Sequence, residues 1–205
     1  IQVANIRKSQ IARLTAASIT TMCQLADLLP TAEIKGINPQ TLAKLRAQAR
    51  IQRDSANRAK PFFEILAAPN QGLELLPPPS ALDVFFDIEG FPLERGGLEY
   101  LWGCTYFDDA QQRQFIDFWA HNAAQEKQCF ADFIGWAYAR WRQDPSMHIY
   151  HYASYEITAC QKLMGQYGIC EMEVDDLLRN NVFVDLYKIV KGSLLLGEPR
   201  YSIKN

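Results

Sequence analysis

No run of eighteen apolar residues occurs in the 205-residue chain, and its start carries no charged-then-apolar leader pattern. A helix needs about twenty predominantly apolar residues to cross a bilayer. The chain therefore reads as soluble and cytoplasmic, with no membrane partner. Cysteine is sparse: Cys23, Cys104, Cys129, Cys160 and Cys170 form no C-x-x-C pair and are odd in number. Structural zinc and iron–sulfur sites draw on closely spaced cysteines, so these five read as reduced thiols, most of them in the core. An initiator methionine is also absent, and the sequence stops in the charged stretch Tyr201-Ser202-Ile203-Lys204-Asn205, which reads as a fragment of something longer.

Apolar material is plentiful by contrast. At 48% hydrophobic and 12% aromatic, the chain can bury one ordinary core and a small second one. The net charge of −2 conceals an asymmetry. Residues 1–60 hold ten Lys/Arg against three acids, whereas the rest of the chain holds eleven bases against twenty acids. A basic segment joined to an acidic one suggests a polyanion-binding arm beside a cation-binding site; the alternative is a solvated helix surface.

Residues 1–60 read as all helix. The periodicity predicts a helix from Ser9 to Ala16 with Ile11 and Leu14 inward, a turn at Ala17–Thr20, and a second helix from Thr21 to Leu29 with Met22, Leu25 and Leu28 apolar. Asn38 is placed to cap a third helix, with Pro39 at its first position. That helix runs to about Lys60 and puts Leu42, Leu45 and Ala49 on one stripe. The segments Ala17–Ala26 and Gly36-Ile37-Asn38 resemble paired helix-hairpin-helix elements. The likeness implies a phosphate held by hairpin backbone N–H groups, with Gly36 in the substrate-binding set. The first hairpin departs from the pattern by lacking glycine, and a helical spacer or protein-docking unit is the other reading of this segment. Residues 61–80, with Pro61, Pro69, Pro77, Pro78 and Pro79, read as a linker to a second domain at 81–205.

From Ala81 the period changes to two. In Leu82-Asp83-Val84-Phe85-Phe86-Asp87-Ile88-Glu89-Gly90, alternation places Leu82, Val84, Phe86 and Ile88 on one face and Phe85, Asp87 and Glu89 on the other. Two same-side carboxylates ending an apolar strand suit a hard divalent cation, which prefers oxygen ligands on a rigid support; a strand running out into solvent would show the same pattern. Strands at Leu98–Tyr106 and Gln112–Trp119 form a hairpin. A helix capped by Asn122 follows, over Ala123–Arg142, with Phe130, Phe133, Ile134, Ala137 and Trp141 as its apolar stripe. A strand at Met147–Tyr150, a helix at Ala153–Tyr167 stopped by Gly168, a short helix, a strand at Val182–Val184 and a helix from Leu186 complete the order β-β-β-α-β-α-β-α. On the 153–167 helix, Ser154, Thr158 and Gln161 form a polar stripe, while Glu156 lies nearly opposite, in line with Cys160 and Leu163. A first-turn carboxylate on a buried face must be paired, protonated or bound to a cation.

Asp-Ile-Glu at 87–89, the three-stranded meander and His151-Tyr152-Ala153-Ser154-Tyr155-Glu156 opening a helix together resemble the ribonuclease-H-like fold of the DEDD exonucleases. The similarity is greatest to the YprB-type domain of proteins that also carry a RecB-like nuclease domain. The resemblance covers 81–205 and implies an α/β domain with a mixed five-stranded sheet, preceded by a small all-α domain at 1–60. It implies a metal-dependent 3′–5′ exonuclease acting on DNA or RNA with two Mg²⁺ or Mn²⁺ ions. Asp87 would bridge the ions, Glu89 would hold the one that activates water, and Glu156 would position the other. His151 and Tyr152 would touch substrate. Glu156 departs from the aspartate usual at its position. The family's third motif, a late helix with a further acid and the water-aligning group, has no counterpart through Asn205, so this span is expected to be a weak or inactive nuclease by itself. Asp185 reads as a helix cap. The alternatives are a catalytically degenerate module that binds nucleic acid or a neighbouring domain, and an endonuclease built on the same acids.

Overall fold

The computed structural model describes residues 1–66, 69–94 and 96–203. Two positions of the proline-bearing segment, one in the first strand-to-strand connection of the expected nuclease domain and the last two residues lie outside the described part. The chain forms two compact units, one of residues 1–74 with 189–205 and the other of residues 75–188. No described helix is long and apolar enough to cross a membrane.

In the first unit three helices, α1 (Lys8–Ala16), α2 (Met22–Ala26) and α3 (Pro39–Ser55), close around Leu14, Ile19, Leu25, Ile37, Leu42, Leu45 and Ala49. Thr21 caps α2 by accepting from the Gln24 backbone N–H, and Asn38 caps α3 by accepting from that of Gln40. Two expected ends move inward. Helix α2 stops at Ala26 and leaves Leu29 exposed, and α3 stops at Ser55, five residues short of Lys60. The Ser55 hydroxyl instead accepts the backbone N–H of Phe62. This unit is not all helix, since β1 (Phe63–Ile65), within the expected linker, pairs antiparallel with β7 (Leu194–Leu196). Gln48, buried on α3, donates to the Leu196 carbonyl and accepts from the Tyr201 hydroxyl.

The second unit is built on a five-stranded sheet in the order β4-β3-β2-β5-β6. Its strands are β2 (Val84–Phe91), β3 (Leu98–Phe107), β4 (Arg113–Trp119), β5 (Ile149–His151) and β6 (Phe183–Asp185). The β2–β3 and β3–β4 pairs are antiparallel, while β2–β5 and β5–β6 are parallel. The sheet is thus mixed, with β2 at its centre. Helix α4 (Ala123–Gln143) supplies the stripe expected of it: Phe130, Phe133, Ile134 and Ala137 are completely buried, and Trp141 nearly so. Phe133 stacks on Phe86 at 4.3 Å between ring centroids, and Trp102 tilts against both rings. Side chains of this size contribute about 1.5–3 kcal/mol each on burial, so these rings fix which face of β2 turns inward. Helices α5 (Tyr155–Tyr167) and α6 (Glu171–Arg179) follow, with α6 between β5 and β6, and α7 (Leu186–Ser193), which begins in this unit and ends in the first, completes the expected order.

Cys104, Cys129 and Cys160 are buried in this unit, and Cys23 is exposed in the first. Burial pushes the Cys129 thiol up to about 12, with Asp132 and Glu126 adding to it, and raises Cys104 and Cys160 as well. Reactivity follows the thiolate. A thiol reagent added to native protein is expected to label Cys23 first, half-buried Cys170 more slowly, and the other three only after denaturation. Prompt labelling of Cys104, Cys129 or Cys160 would contradict this packing.

Candidate functional site

Strand β2 alternates as its sequence predicts. Val84, Phe86 and Ile88 are buried, and Phe85, Asp87 and Glu89 are exposed on the opposite face. Asp87 pairs in register with Gly103 of β3, which in turn pairs with Asp117 of β4. A glycine beside Asp87 leaves the neighbouring strand without a side chain there, and a Cβ at Gly103 would meet only the Phe115 ring, at 3.2 Å. Neither Asp87 nor Glu89 has a hydrogen bond or ion pair among the described residues. Two unneutralised carboxylates two residues apart on one rigid strand repel each other, and a bound cation removes that cost. Their donor chemistry therefore fits Mg²⁺ or Mn²⁺.

Glu156 sits differently. It lies in the first turn of α5 on the buried face with Ala159, Cys160 and Leu163, and is 3% exposed. Its Oε2 is 3.4 Å from His151 Nδ1. That oxygen and both ring nitrogens of His151 are buried without a hydrogen-bond partner among the described residues. His151, placed against substrate by the sequence reading, is 2% exposed. The reason is parity: on β5, Tyr150 pairs with outward-facing Phe85, so His151 points to the other face. Tyr152, half-buried, packs edge-on against Tyr187 at 5.6 Å. Among the described residues no group of three or more His, Cys, Asp or Glu is already gathered around a cation position.

The end of β2 and the start of α5 are joined by groups that periodicity did not single out. The Tyr155 hydroxyl donates to Glu99 Oε2 at 2.6 Å, directly over Gly90. A Cβ at Gly90 would lie 2.3 Å from that hydroxyl and 2.5 Å from the Glu99 carboxylate, so only glycine fits beneath the pair. Burial first, then the hydrogen bond to Glu99, raise the Tyr155 pKa, and the charges of Glu99, Glu156 and Glu89 act in the same direction. Glu126, 2% exposed, accepts the Glu99 backbone N–H and the Tyr167 hydroxyl, each at 2.5 Å. Tyr167 is pushed up to about 12, by burial first and then by Glu126. Both tyrosines therefore stay protonated donors at neutral pH, clamping the two ends of α5. The sequence signal was present as acids at buried positions, Glu99 on β3 and Glu126 in the first turn of α4.

Asp185, at the end of β6, accepts from the backbone N–H groups of Tyr187 at 2.9 Å and Lys188 at 3.4 Å, the cap of α7. The same oxygen accepts from the Ala153 N–H at 2.9 Å. Ala153 has φ 72°, so this bond holds a strained turn immediately before α5.

In the helical unit, the Thr20 and Thr21 N–H groups both donate to the Gln24 side chain. The N-terminus of α2 therefore already spends these donors on its own chain. Gly36 is exposed at φ 81° in the turn before α3, and its carbonyl accepts from the Arg13 guanidinium. Among the described residues Arg53 is the only base of residues 1–60 in an ion pair, with Asp27 at 2.5 Å and Asp54 at 2.9 Å.

Compared with known proteins, residues 84–205 match a family model, RNase_H_2, of the RNase H superfamily. No curated protein and no solved structure matches.

Proposed function

Since the chain belongs to the RNase H superfamily, we propose that it is a metal-dependent nuclease of the 3′–5′ exonuclease kind, with its cation site on Asp87 and Glu89. The observation that carries this reading is the pair of exposed carboxylates on the central strand, without partners among the described residues. Two Mg²⁺ or Mn²⁺ ions bound there would supply an activated water and charge stabilisation for the leaving oxygen of a phosphodiester. Asp87 and Glu89 provide ligands from a strand that packing holds fixed. Glu156 would add a third only by turning away from His151, on a helix anchored at both ends by Tyr155 and Tyr167. Tyr152 lies next to that helix start and is the substrate contact on this side.

The test is nucleotide release from 5′-labelled single-stranded DNA and RNA with Mn²⁺, against covalently closed circles of each. Stepwise shortening of the linear strands and intact circles support an exonuclease. Nicked circles replace it with an endonuclease on the same acids. A specific observation favours a second reading, a module that binds without cutting: Glu156 is turned to His151 rather than standing free. Nucleic-acid binding with no cleavage and no Mn²⁺ affinity would support that module.

The helical unit serves in this proposal as the arm that holds backbone phosphates, through its exposed bases rather than the amides of the first hairpin. A RecB-like nuclease domain is the proposed covalent partner in a longer protein. Lys44, Arg50, Arg58 and Lys60 are exposed. Replacing these four by Gln is expected to weaken binding and to flatten log K against log[salt] by about 0.7–0.9 for each lost phosphate contact. An unchanged slope would make the unit a spacer.

A further inference from the structure

We propose that β1 is a strand-addition site, taking onto its open edge an extended peptide that alternates apolar and basic side chains. Strand β1 belongs to a two-stranded sheet, so β7 covers one of its edges and no described strand covers the other. Two hydrogen bonds show which residues face which edge. Gly197 donates its backbone N–H to the Phe62 carbonyl at 2.8 Å, and Leu66 donates to the Ser193 carbonyl at 2.7 Å. In an antiparallel ladder the residues bonded to one neighbour recur at every second position. Phe62, Glu64 and Leu66 therefore turn their backbone groups to β7, and Phe63 and Ile65 turn theirs to the open edge. The same two residues carry large apolar side chains that are 64% and 65% exposed.

Natural proteins blunt such edges with lysine, proline or a bulge. Residues 62–66 read Phe-Phe-Glu-Ile-Leu, with neither lysine nor proline, and pair with β7 without a register shift. Two three-residue strands also make a marginal sheet, which a third strand stabilises. The side chains define what fits. Phe63, paired with Leu196, and Ile65, paired with Leu194, share one face, so an added strand needs apolar residues opposite them. Glu64, paired with Leu195, lies on the other face and lines a cavity with Asp54 and Arg50 of α3. Asp54 already has Arg53 at 2.9 Å, whereas Glu64 has no ion pair among the described residues. A second copy of β1 fits badly. Antiparallel pairing of Phe63 with Ile65 would set Glu64 against Glu64, and like charges directly opposite are destabilising. A basic residue at that position removes the conflict.

The experiment titrates the nitrogen-labelled 205-residue chain with a blocked peptide, acetyl-Thr-Val-Lys-Val-Thr-amide, followed by amide resonances and hydrogen exchange. Its valines fall opposite Phe63 and Ile65, and its lysine opposite Glu64. Shifts should centre on the Phe63 and Ile65 amides, whose exchange is fast in the chain alone and slows when peptide binds. Methylating both valine nitrogens removes the donors that face β1 and should weaken binding about tenfold or more. Ile65→Pro removes an outward N–H at a position where an edge strand tolerates proline; it should weaken binding about two- to tenfold and leave the melting temperature unchanged. Glu64→Lys should reverse the preference between this peptide and one with Glu in place of Lys, by up to about fivefold each way. Absence of shifts at the two amides, equal binding of the methylated peptide, or an unchanged charge preference in Glu64→Lys would overturn the proposal. A dimer that Ile65→Pro dissolves would overturn it in favour of a second copy. If Ile65→Pro does not fold, the methylated peptide decides the same point on the native chain.

Discussion

Asp87→Asn is expected to lower any Mn²⁺-dependent cleavage, weak as it is in this span, by up to roughly a thousandfold and to weaken Mn²⁺ binding, while leaving the melting temperature unchanged or slightly higher. Removing a metal ligand forfeits charge stabilisation worth several kcal/mol, and each 1.36 kcal/mol is about tenfold in rate. Stability moves the other way. Asp87 is exposed, has no partner among the described residues and shares its face with Glu89, so the amide removes a repulsion and breaks nothing. A surface change of this kind stays within about 0.5 kcal/mol. Glu89→Gln should behave alike. Activity and stability measured on the same preparations check this. A large drop in melting temperature would show Asp87 to be structural, and unchanged cleavage would remove it from the site.

Asp185→Ala is expected to act in the opposite sense, costing about 2–4 kcal/mol of stability, or about 5–15 °C in the midpoint of thermal unfolding. One carboxylate oxygen accepts three backbone N–H groups, two opening α7 and one from the turn ahead of α5. Truncation strands all three. Asp185→Asn keeps an acceptor oxygen and should recover most of the loss. Ala153, at φ 72°, is the residue whose conformation this bond maintains. Ala153→Gly in the Asp185→Ala background should therefore restore part of the stability, because glycine adopts that φ without cost. If Asp185→Asn melted normally but lost Mn²⁺ binding, the residue would be a ligand and not a cap.

Much of this architecture was legible before any coordinates. The alternation in Val84–Glu89 fixed which side of β2 carries the acids, and the stripe Phe130–Trp141 fixed the face of α4, because both patterns come from local geometry. The basic N-terminal segment could be counted, but not its ends: Leu29 and the turn after Ser55 are decided by which backbone groups find partners. The β1–β7 pair was invisible for a related reason. It joins residues more than a hundred positions apart, and a proline-rich stretch carries no periodic sign of such a partner. His151 was misplaced because a three-residue strand has too little alternation to assign its parity. Glu99, Glu126 and their tyrosines went unnoticed because a buried hydrogen bond between a carboxylate and a phenol leaves no spacing rule in the sequence. The Asp185 cap, by contrast, follows directly from an acid placed one residue before a helix.

The central claim is that β2 ends in a divalent-cation site, and crystals grown with Mn²⁺ test it most directly through the anomalous difference map at the manganese edge. The account predicts density at bonding distance from the Asp87 and Glu89 carboxylates, with the Glu156 side chain directed to it, and no such density in Asp87→Asn crystals grown alike. Manganese bound elsewhere, or a β2 end with none at saturating Mn²⁺, would contradict it.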